Sequence, residues 1–502
     1  MAHKPDAASI QSTAKGVSTS GPHISQASVA RREVLQWMAA SAALMTSPVA
    51  NAAVAKPLNF VYIIMDDMGW ADLGAYGNKV IDTPNLDRLA RQCARFTNAY
   101  SSCPVCSPSR ASVMTGQHPA RIGMTDYIPG SRNRPTAKLI QPTFLQHLPL
   151  SCTTLGNLFE ANGYRTANIG KWHLGGEGYL PTDLGFQLNI AGDDRGHPKA
   201  YFGPEEFKNM TLVADESLTE RLGSEGAKYI NTASHAPFFL YAGHYAVHGP
   251  IQARPEEIAK YRQRDTGEID PIYCAMVESV DRAVKQVLDA IDESGTAGNT
   301  VVIFTSDHGG LRYEGRSPKP VTTNAPLRAG KGHVYEGGIR IPLLVRWPGV
   351  TKPGAVIDTP VMNVDWFPTV CSALGTTPKD VMDGKNILPV LRGHALPERP
   401  LYWHYPHYSP QGGDPAGAIR LGDWKLIEFF EDNRRELYNL VEDIGEKRNL
   451  VRKEPERAAR LAAMLKEWRT GIKASMPTIN PLYNPATADR GFTGEERPTP
   501  PV

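Results

Sequence analysis

Cysteine is scarce in this chain. Six thiols among 502 residues cannot make the disulfide framework that holds small secreted domains together. Cys93, Cys152, Cys274 and Cys371 sit in apolar or helical sequence, where a buried free thiol is the expectation. An excess of one charge is also missing. Lys and Arg number 54 against 52 Asp and Glu, a net charge of +2, so no general basic surface argues for nucleic acid as a partner. Internal repeats are absent. Beyond the N-terminal region no apolar run approaches the ~20 residues that a membrane span requires. What remains is a chain too long for one small core, expected to form one large α/β domain with a smaller companion.

Residues 1–55 read as an export segment. A polar lead-in ends at Ala30-Arg31-Arg32-Glu33-Val34-Leu35, a modestly apolar run from Trp37 to Ala55 follows, and Ala50-Asn51-Ala52 has the small-x-small pattern of a cleavage site. This resembles a twin-arginine signal, with Val34 and Gln36 where phenylalanine and lysine are usual. It implies passage through the twin-arginine export machinery to the periplasm or medium, with a retained anchor as the alternative. The run is too short and too weakly apolar for a stable membrane span.

From residue 56 short apolar runs alternate with amphipathic helical patterns, which predicts a large, mostly parallel sheet covered by helices on both faces, over 56–398. Leu58–Met65, Pro237–Gly243 and Thr300–Ser306 read as buried strands. A helix carrying Val277, Val280, Val284, Val287, Leu288 and Ile291 on one face is expected to stop at Gly295. After about Pro400 the pattern changes to antiparallel strands and a closing helix bearing Leu461, Met464, Leu465 and Trp468, a small C-terminal subdomain over 399–475. The Pro-rich tail, 476–502, is expected to wrap over the surface or fray.

Two of the buried runs end in acidic, glycine-flanked turns, Asp66-Asp67-Met68-Gly69 and Asp307-His308-Gly309-Gly310. Ligands gather at the carboxyl ends of strands in open α/β sheets. One of the adjacent aspartates alone could be a helix cap. Two neighbouring carboxylates without a cation repel, and a third at another strand end favours a shared metal. Oxygen-rich ligation points to calcium or magnesium, while His308 leaves room for a transition metal.

The stretch Ser101–Gly116, SSCPVCSPSRASVMTG, puts Cys106 before a helix start. Ser107 is expected to be its N-cap and Pro108 to occupy its first turn. An anion is favoured there by free N–H groups and the helix dipole, and Arg110 adds a planar donor fork. Cys103 and Cys106 as a redox pair or half a zinc site is the alternative, but no second Cys-x-x-Cys accompanies them.

Cys106-Ser107-Pro108-Ser109-Arg110 with Thr115-Gly116 resembles the signature of the type I sulfatases, arylsulfatase-like members of the alkaline phosphatase superfamily. The resemblance runs from about Asn59 to Leu450. It implies that Cys106 is oxidised to formylglycine (3-oxoalanine) by a formylglycine-generating maturation enzyme, and that the hydrated aldehyde is the nucleophile. It further implies one divalent cation, Ca2+ first with Mg2+ or another ion as alternatives, held by Asp66, Asp67, Asp307, His308 and the residue at 106. Many relatives have asparagine at the position of His308. Lys171 and His173 in GKWHLG, His248 in HGPIQ and Lys331 in GKGH match the residues that hold sulfate and assist the leaving oxygen, with Val247 where proline is usual. DWFPT (365–369) and ELYNLVED (436–443) match landmarks outside the catalytic set.

The implied activity is a sulfuric ester hydrolase acting on a sulfated carbohydrate or aryl sulfate. An ester anion and an anionic nucleophile need strong neutralisation, which a divalent ion, Arg110, Lys171 and Lys331 could supply. Asp307 would accept the nucleophile's proton, and His248 or His173 would protonate the departing alcohol. The rivals are a phosphonate monoester hydrolase or phosphatase on the same fold, and a catalytically dead glycan-binding member. The stretch from Tyr402, YWHYPHYSPQGGDP, reads equally as one wall of a sugar pocket or as a packed strand and loop.

Overall fold

The structure is a computed structural model that describes residues 56–133, 136–312 and 320–486. The export segment and the end of the tail lie outside the described residues. Asn59–Met65 is buried along its whole length and runs parallel to Phe238–Gly243 on one side and Thr300–Ser306 on the other. The large sheet follows the order Val356–Ile357, Ala94–Tyr100, Arg340–Arg346, Thr300–Ser306, Asn59–Met65, Phe238–Gly243, Arg165–Gly170, Leu188–Ile190, and Val361–Met362 also pairs with Ala94–Tyr100. Arg340–Arg346 is antiparallel to both neighbours, whereas the other described pairs in this sheet are parallel. Successive side chains of the central strand serve opposite layers. Val61, Ile63 and Met65 join a core with Val277, Val280, Val284 and Val287 of the helix Pro271–Glu293. Phe60, Tyr62 and Ile64 join Ala111, Val113 and Met114 of the helix Cys106–Thr115, with Phe367 and Val370, on the other face.

The C-terminal sheet is antiparallel as expected, in the order Leu401–Tyr405, Ala416–Leu421, Trp424–Phe429, Arg435–Asn439. Its outer face is covered by Leu461, Ala462 and Leu465 of the helix Pro455–Gly471. Its inner face packs Trp403, Tyr405 and Ile427 against Tyr100 and Cys103. A buried charge cluster crosses this seam: Lys425 Nζ lies 2.9 Å from both Glu336 Oε1 and Glu446 Oε1, and Arg340 Nε lies 2.7 Å from Glu336 Oε2. In the described start of the tail, Thr478–Ile479 pairs antiparallel to Leu139–Ile140. Among the described residues, no helix is long and apolar enough to cross a membrane.

Candidate active site

Four neighbouring strands of the large sheet deliver the site from their carboxyl ends, the place where open α/β sheets gather ligands. Asn59–Met65 leads into Asp66 and Asp67, Thr300–Ser306 into Asp307 and His308, Arg165–Gly170 into Lys171, and Phe238–Gly243 into the segment ending at His248. Backbone bonds continue the register beyond the strands: Asp307 N donates to Met65 O at 3.0 Å, Lys171 N to Gly243 O at 2.6 Å, and Asp66 N to Ala246 O at 2.9 Å. Asp67 then turns with φ 62°, a left-handed conformation that aspartate tolerates better than most residues. Gly309 has a different reason: a Cβ there would sit 1.8 Å from Gly337 O, so the turn after His308 closes only with glycine.

Cys106 is the first residue of the helix Cys106–Thr115, not the residue before it. The expected Ser107 cap is not formed. Ser107 Oγ instead accepts from Ile128 N at 3.1 Å, and Val105 is the N-cap with no side-chain bond. Cys106 Sγ lies 3.4 Å from Asp66 Oδ1 and 3.3 Å from His308 Nε2. Three buried cations face three buried carboxylates: Lys171 Nζ to Asp66 Oδ2 at 2.5 Å, Lys331 Nζ to Asp67 Oδ1 at 2.7 Å, and Arg110 Nε to Asp307 Oδ2 at 2.9 Å. His308 Nε2 is 3.3 Å from Asp67 Oδ1 and 3.4 Å from Asp307 Oδ1. His248 Nε2 reaches Asp67 Oδ2 at 3.8 Å, and its side chain keeps 20% of its exposure.

Burial works against every charge here, and the neighbours decide which survive. Burial opposes ionisation of Asp66, yet Lys171, His248, Arg110 and Lys331 hold it well below the usual carboxylate range. Burial raises Asp67 to about 7, with Lys331 opposing and Asp66 reinforcing the rise. His308 is raised to about 9 despite burial, by Asp307, Cys106 and Asp67. Burial and Asp66 push the Cys106 thiol upward, but Lys171, Lys331 and His308 leave it below its ordinary value. Cys103 is a free buried thiol whose burial drives it the other way.

Asp66, Asp67, Cys106 and His308 each offer one ligand atom, all within 4.8 Å of one another. Asp307, the fifth expected ligand, stands beside this group with one oxygen near His308 and the other on Arg110. Lys331 Nζ donates with good geometry to Asp67 Oδ2 at 3.0 Å, and Asp67 Oδ1 accepts no hydrogen bond among the described residues. His173 follows Lys171 by two residues. Its φ of 58° makes a turn rather than an extended step. The ring spends one nitrogen on the backbone, Nε2 to Ile128 O at 2.8 Å. A carbonyl only accepts, so Nε2 carries the proton and Nδ1, which has no partner among the described residues, keeps its lone pair. Burial and Lys171 hold His173 well below its ordinary pKa.

One feature was not anticipated. The backbone of Ile128 joins the helix of Cys106 to His173, through its N–H to Ser107 and its carbonyl to the ring; a backbone contact demands no residue type and leaves no motif. Trp403, His404, Tyr405 and His407 are buried, so the packed-strand reading holds for them and they offer no wall to a sugar pocket.

The family model described as "Sulfatase" matches residues 58–376, and one described as "N-sulphoglucosamine sulphohydrolase, C-terminal" matches 329–473. A "Sulfatase" of Formosa agariphila is 32% identical over 89% of this chain and 94% of its own. The N-acetylgalactosamine-6-sulfatase of Homo sapiens is 32% identical over 74% of this chain and 71% of its own. Among solved structures, Ps i-CgsB superposes with a TM-score of 0.70 at 28% identity, covering 85% of this chain and 95% of that one. Its complex with k-i-k-neocarrahexaose superposes equally well, with a TM-score of 0.70 at 27% identity and the same coverage.

Proposed function

The chain belongs to the sulfatase family and is a sulfuric ester hydrolase, and from that premise we propose that it removes sulfate from a sulfated carbohydrate with formylglycine at position 106 and a bound divalent cation. The observation that carries the reading is the position of Cys106, at the first turn of a buried helix and within 3.4 Å of both Asp66 and His308. That thiol faces two lysines whose partners are the neighbouring carboxylates. Such a site accepts an oxyanion at a helix N-terminus and neutralises it with preorganised charge.

Asp66, Asp67, Asp307 and His308 would hold the cation, and the oxygen-rich set favours calcium. Asp67 Oδ1, buried and 2.7 Å from Lys331 Nζ and 3.3 Å from His308 Nε2, belongs to the cluster whose four ligand atoms lie within 4.8 Å of one another, close enough for one cation to join them. When bound, the ion supplies positive charge to the sulfuryl oxygens as sulfur is attacked. The hydrated aldehyde at 106 supplies one hydroxyl as nucleophile and a second by which bound sulfate can be released. Lys171 and Lys331 bind and orient the sulfate, and Asp307 takes the nucleophile's proton. His248 is the proton donor to the leaving oxygen. Its Nδ1 donates to Gly249 O at 2.9 Å, which leaves Nε2, 3.8 Å from Asp67 Oδ2, with the lone pair in the neutral ring and able to carry the working proton only in the charged form. Burial and Lys331 hold this ring below its ordinary pKa, and an incoming sulfate anion shifts it back toward the charged form. His173 keeps only Nδ1 for the substrate side.

The names of the relatives, N-acetylgalactosamine-6-sulfatase and a protein solved with a carrahexaose, support a sulfated sugar. Mature protein should release sulfate from N-acetylgalactosamine 6-sulfate or sulfated galactan oligosaccharides. Faster turnover of an aryl phosphonate than of any sulfate ester would contradict the reading. We place the mature enzyme in the periplasm or medium, reached through the twin-arginine pair Arg31 and Arg32 after maturation inside the cell.

A further inference from the structure

The loop Asp193–Tyr201 touches both candidate histidines. Asp193 O accepts from His173 N at 2.9 Å. Gly196 lies against the His173 ring, where a Cβ would meet Cε1 at 2.8 Å. His197 lays its ring parallel to that of His248, with centroids 5.6 Å apart and planes 5° apart, inside the range in which aromatic pairs attract. The loop is shaped from behind by Glu205. That buried carboxylate accepts from Arg195 Nη1 at 3.2 Å, Lys199 N at 3.0 Å and Ala200 N at 2.9 Å. Tyr201, at the loop's end, donates to the backbone oxygens of Tyr245 and His248 at 2.6 and 2.9 Å.

His248 needs such support. Among the described residues its ring makes one hydrogen bond, Nδ1 to Gly249 O, and Nε2 stands 3.8 Å from Asp67 Oδ2, so these two contacts hold the ring by its edges and leave its face to be covered. His197 is exposed, its Nδ1 lies 3.0 Å from Pro198 O, and the backbone that follows it is held by Glu205 at Lys199 N and Ala200 N. We propose that His197 is a positioning residue for the proton donor: its ring, carried by the Glu205-braced loop, covers the face of His248 so that Nε2 points at the leaving oxygen. The proposal rests on the reading of His248 as that donor. A proton donor must reach its acceptor at hydrogen-bond distance, and a small misplacement of a reacting group can cost on the order of 100-fold in rate.

The test compares His197→Ala, His197→Phe and His248→Ala in the mature enzyme on a series of aryl sulfates, from 4-nitrophenyl to 4-methoxyphenyl sulfate. A good leaving group departs without a proton and a poor one does not. His197→Ala should lose between ~10- and ~100-fold in kcat on the poor leaving groups, with KM little changed and 4-nitrophenyl sulfate nearly unaffected. His197→Phe, which keeps a flat ring, should recover most of that loss. An equal loss on all substrates, a change confined to KM, or no recovery with phenylalanine would overturn the proposal while leaving the donor role intact. Leaving-group-independent loss in His248→Ala would overturn the donor role and the proposal together.

Discussion

Replacing His118 should flatten the acid side of the stability curve. His118 is the N-cap of the short helix Pro119–Ile122. Its Nδ1 accepts from Ala120 N at 3.2 Å, and its Nε2 lies 3.1 Å from Tyr402 O, to which it donates. The ring is buried against Trp468, with centroids 4.7 Å apart. One lone pair and one N–H are both in use, so a second proton would set a donor against the Ala120 N–H. Burial lowers this imidazole from 6.5 to about 4, with Asp383 only partly opposing. A depressed folded-state pKa means that the stabilisation is complete above the unfolded value of 6.5 and is lost as pH falls toward 4. At about 1.4 kcal/mol per unit, the ceiling is about 3 kcal/mol. His118→Asn keeps a capping oxygen and cannot titrate, while giving up the Tyr402 bond at ~1 kcal/mol. Urea midpoints at pH values on either side of this window measure the difference. Wild type should fall further than the variant on acidification, by up to about 3 kcal/mol. His244 and His407, also depressed by burial, contribute to both proteins and cancel, whereas His404, depressed by burial and in part by the His118 charge, adds to the difference in the same direction. Identical pH dependence in the two would refute the reasoning.

Arg110→Ala strips the buried partner from Asp307 and should destabilise by ~3–5 kcal/mol, while Asp307→Asn added to it should recover part of the loss, as denaturant melts of the double-mutant cycle would report. Gly309→Ala forces a Cβ into Gly337 O and should lower both Tm and turnover through displacement of His308; wild-type behaviour would contradict the close approach. Chelation should abolish activity and calcium restore it, and calorimetric titration should show calcium binding to wild type but not to Asp66→Asn. Changing Arg31 and Arg32 to lysine should leave precursor inside the cell, and an unchanged exported yield would point to another route.

Strands buried on both faces were legible because they read as continuous apolar runs, and the acidic turns that end two of them named Asp66, Asp67, Asp307 and His308 directly. The change of pattern after Pro400 likewise marked the small antiparallel sheet. What the sequence hid depends on distant backbone. Ser107 looks like a cap until Ile128 N claims its hydroxyl, and the left-handed turn at His173 is held by Ile128 O and Asp193 O, backbone contacts that leave no motif. His197 sits in DDRGHPKA without periodicity or motif, and only its parallel ring on His248 gives it a role. Leu139–Ile140 and Thr478–Ile479 are too short to show a period and form only because the tail returns across the surface.

The central claim is that turnover depends on an aldehyde where the sequence encodes Cys106. Peptide mass spectrometry of residue 106, run on preparations made with and without a formylglycine-generating enzyme and paired with sulfate-release rates on the same samples, tests it most directly. Activity should rise in proportion to the fraction of peptide carrying a hydrazine-reactive carbonyl in place of the thiol, and Cys106→Ala should show neither. A fully active preparation whose Cys106 is wholly unmodified thiol would contradict the account.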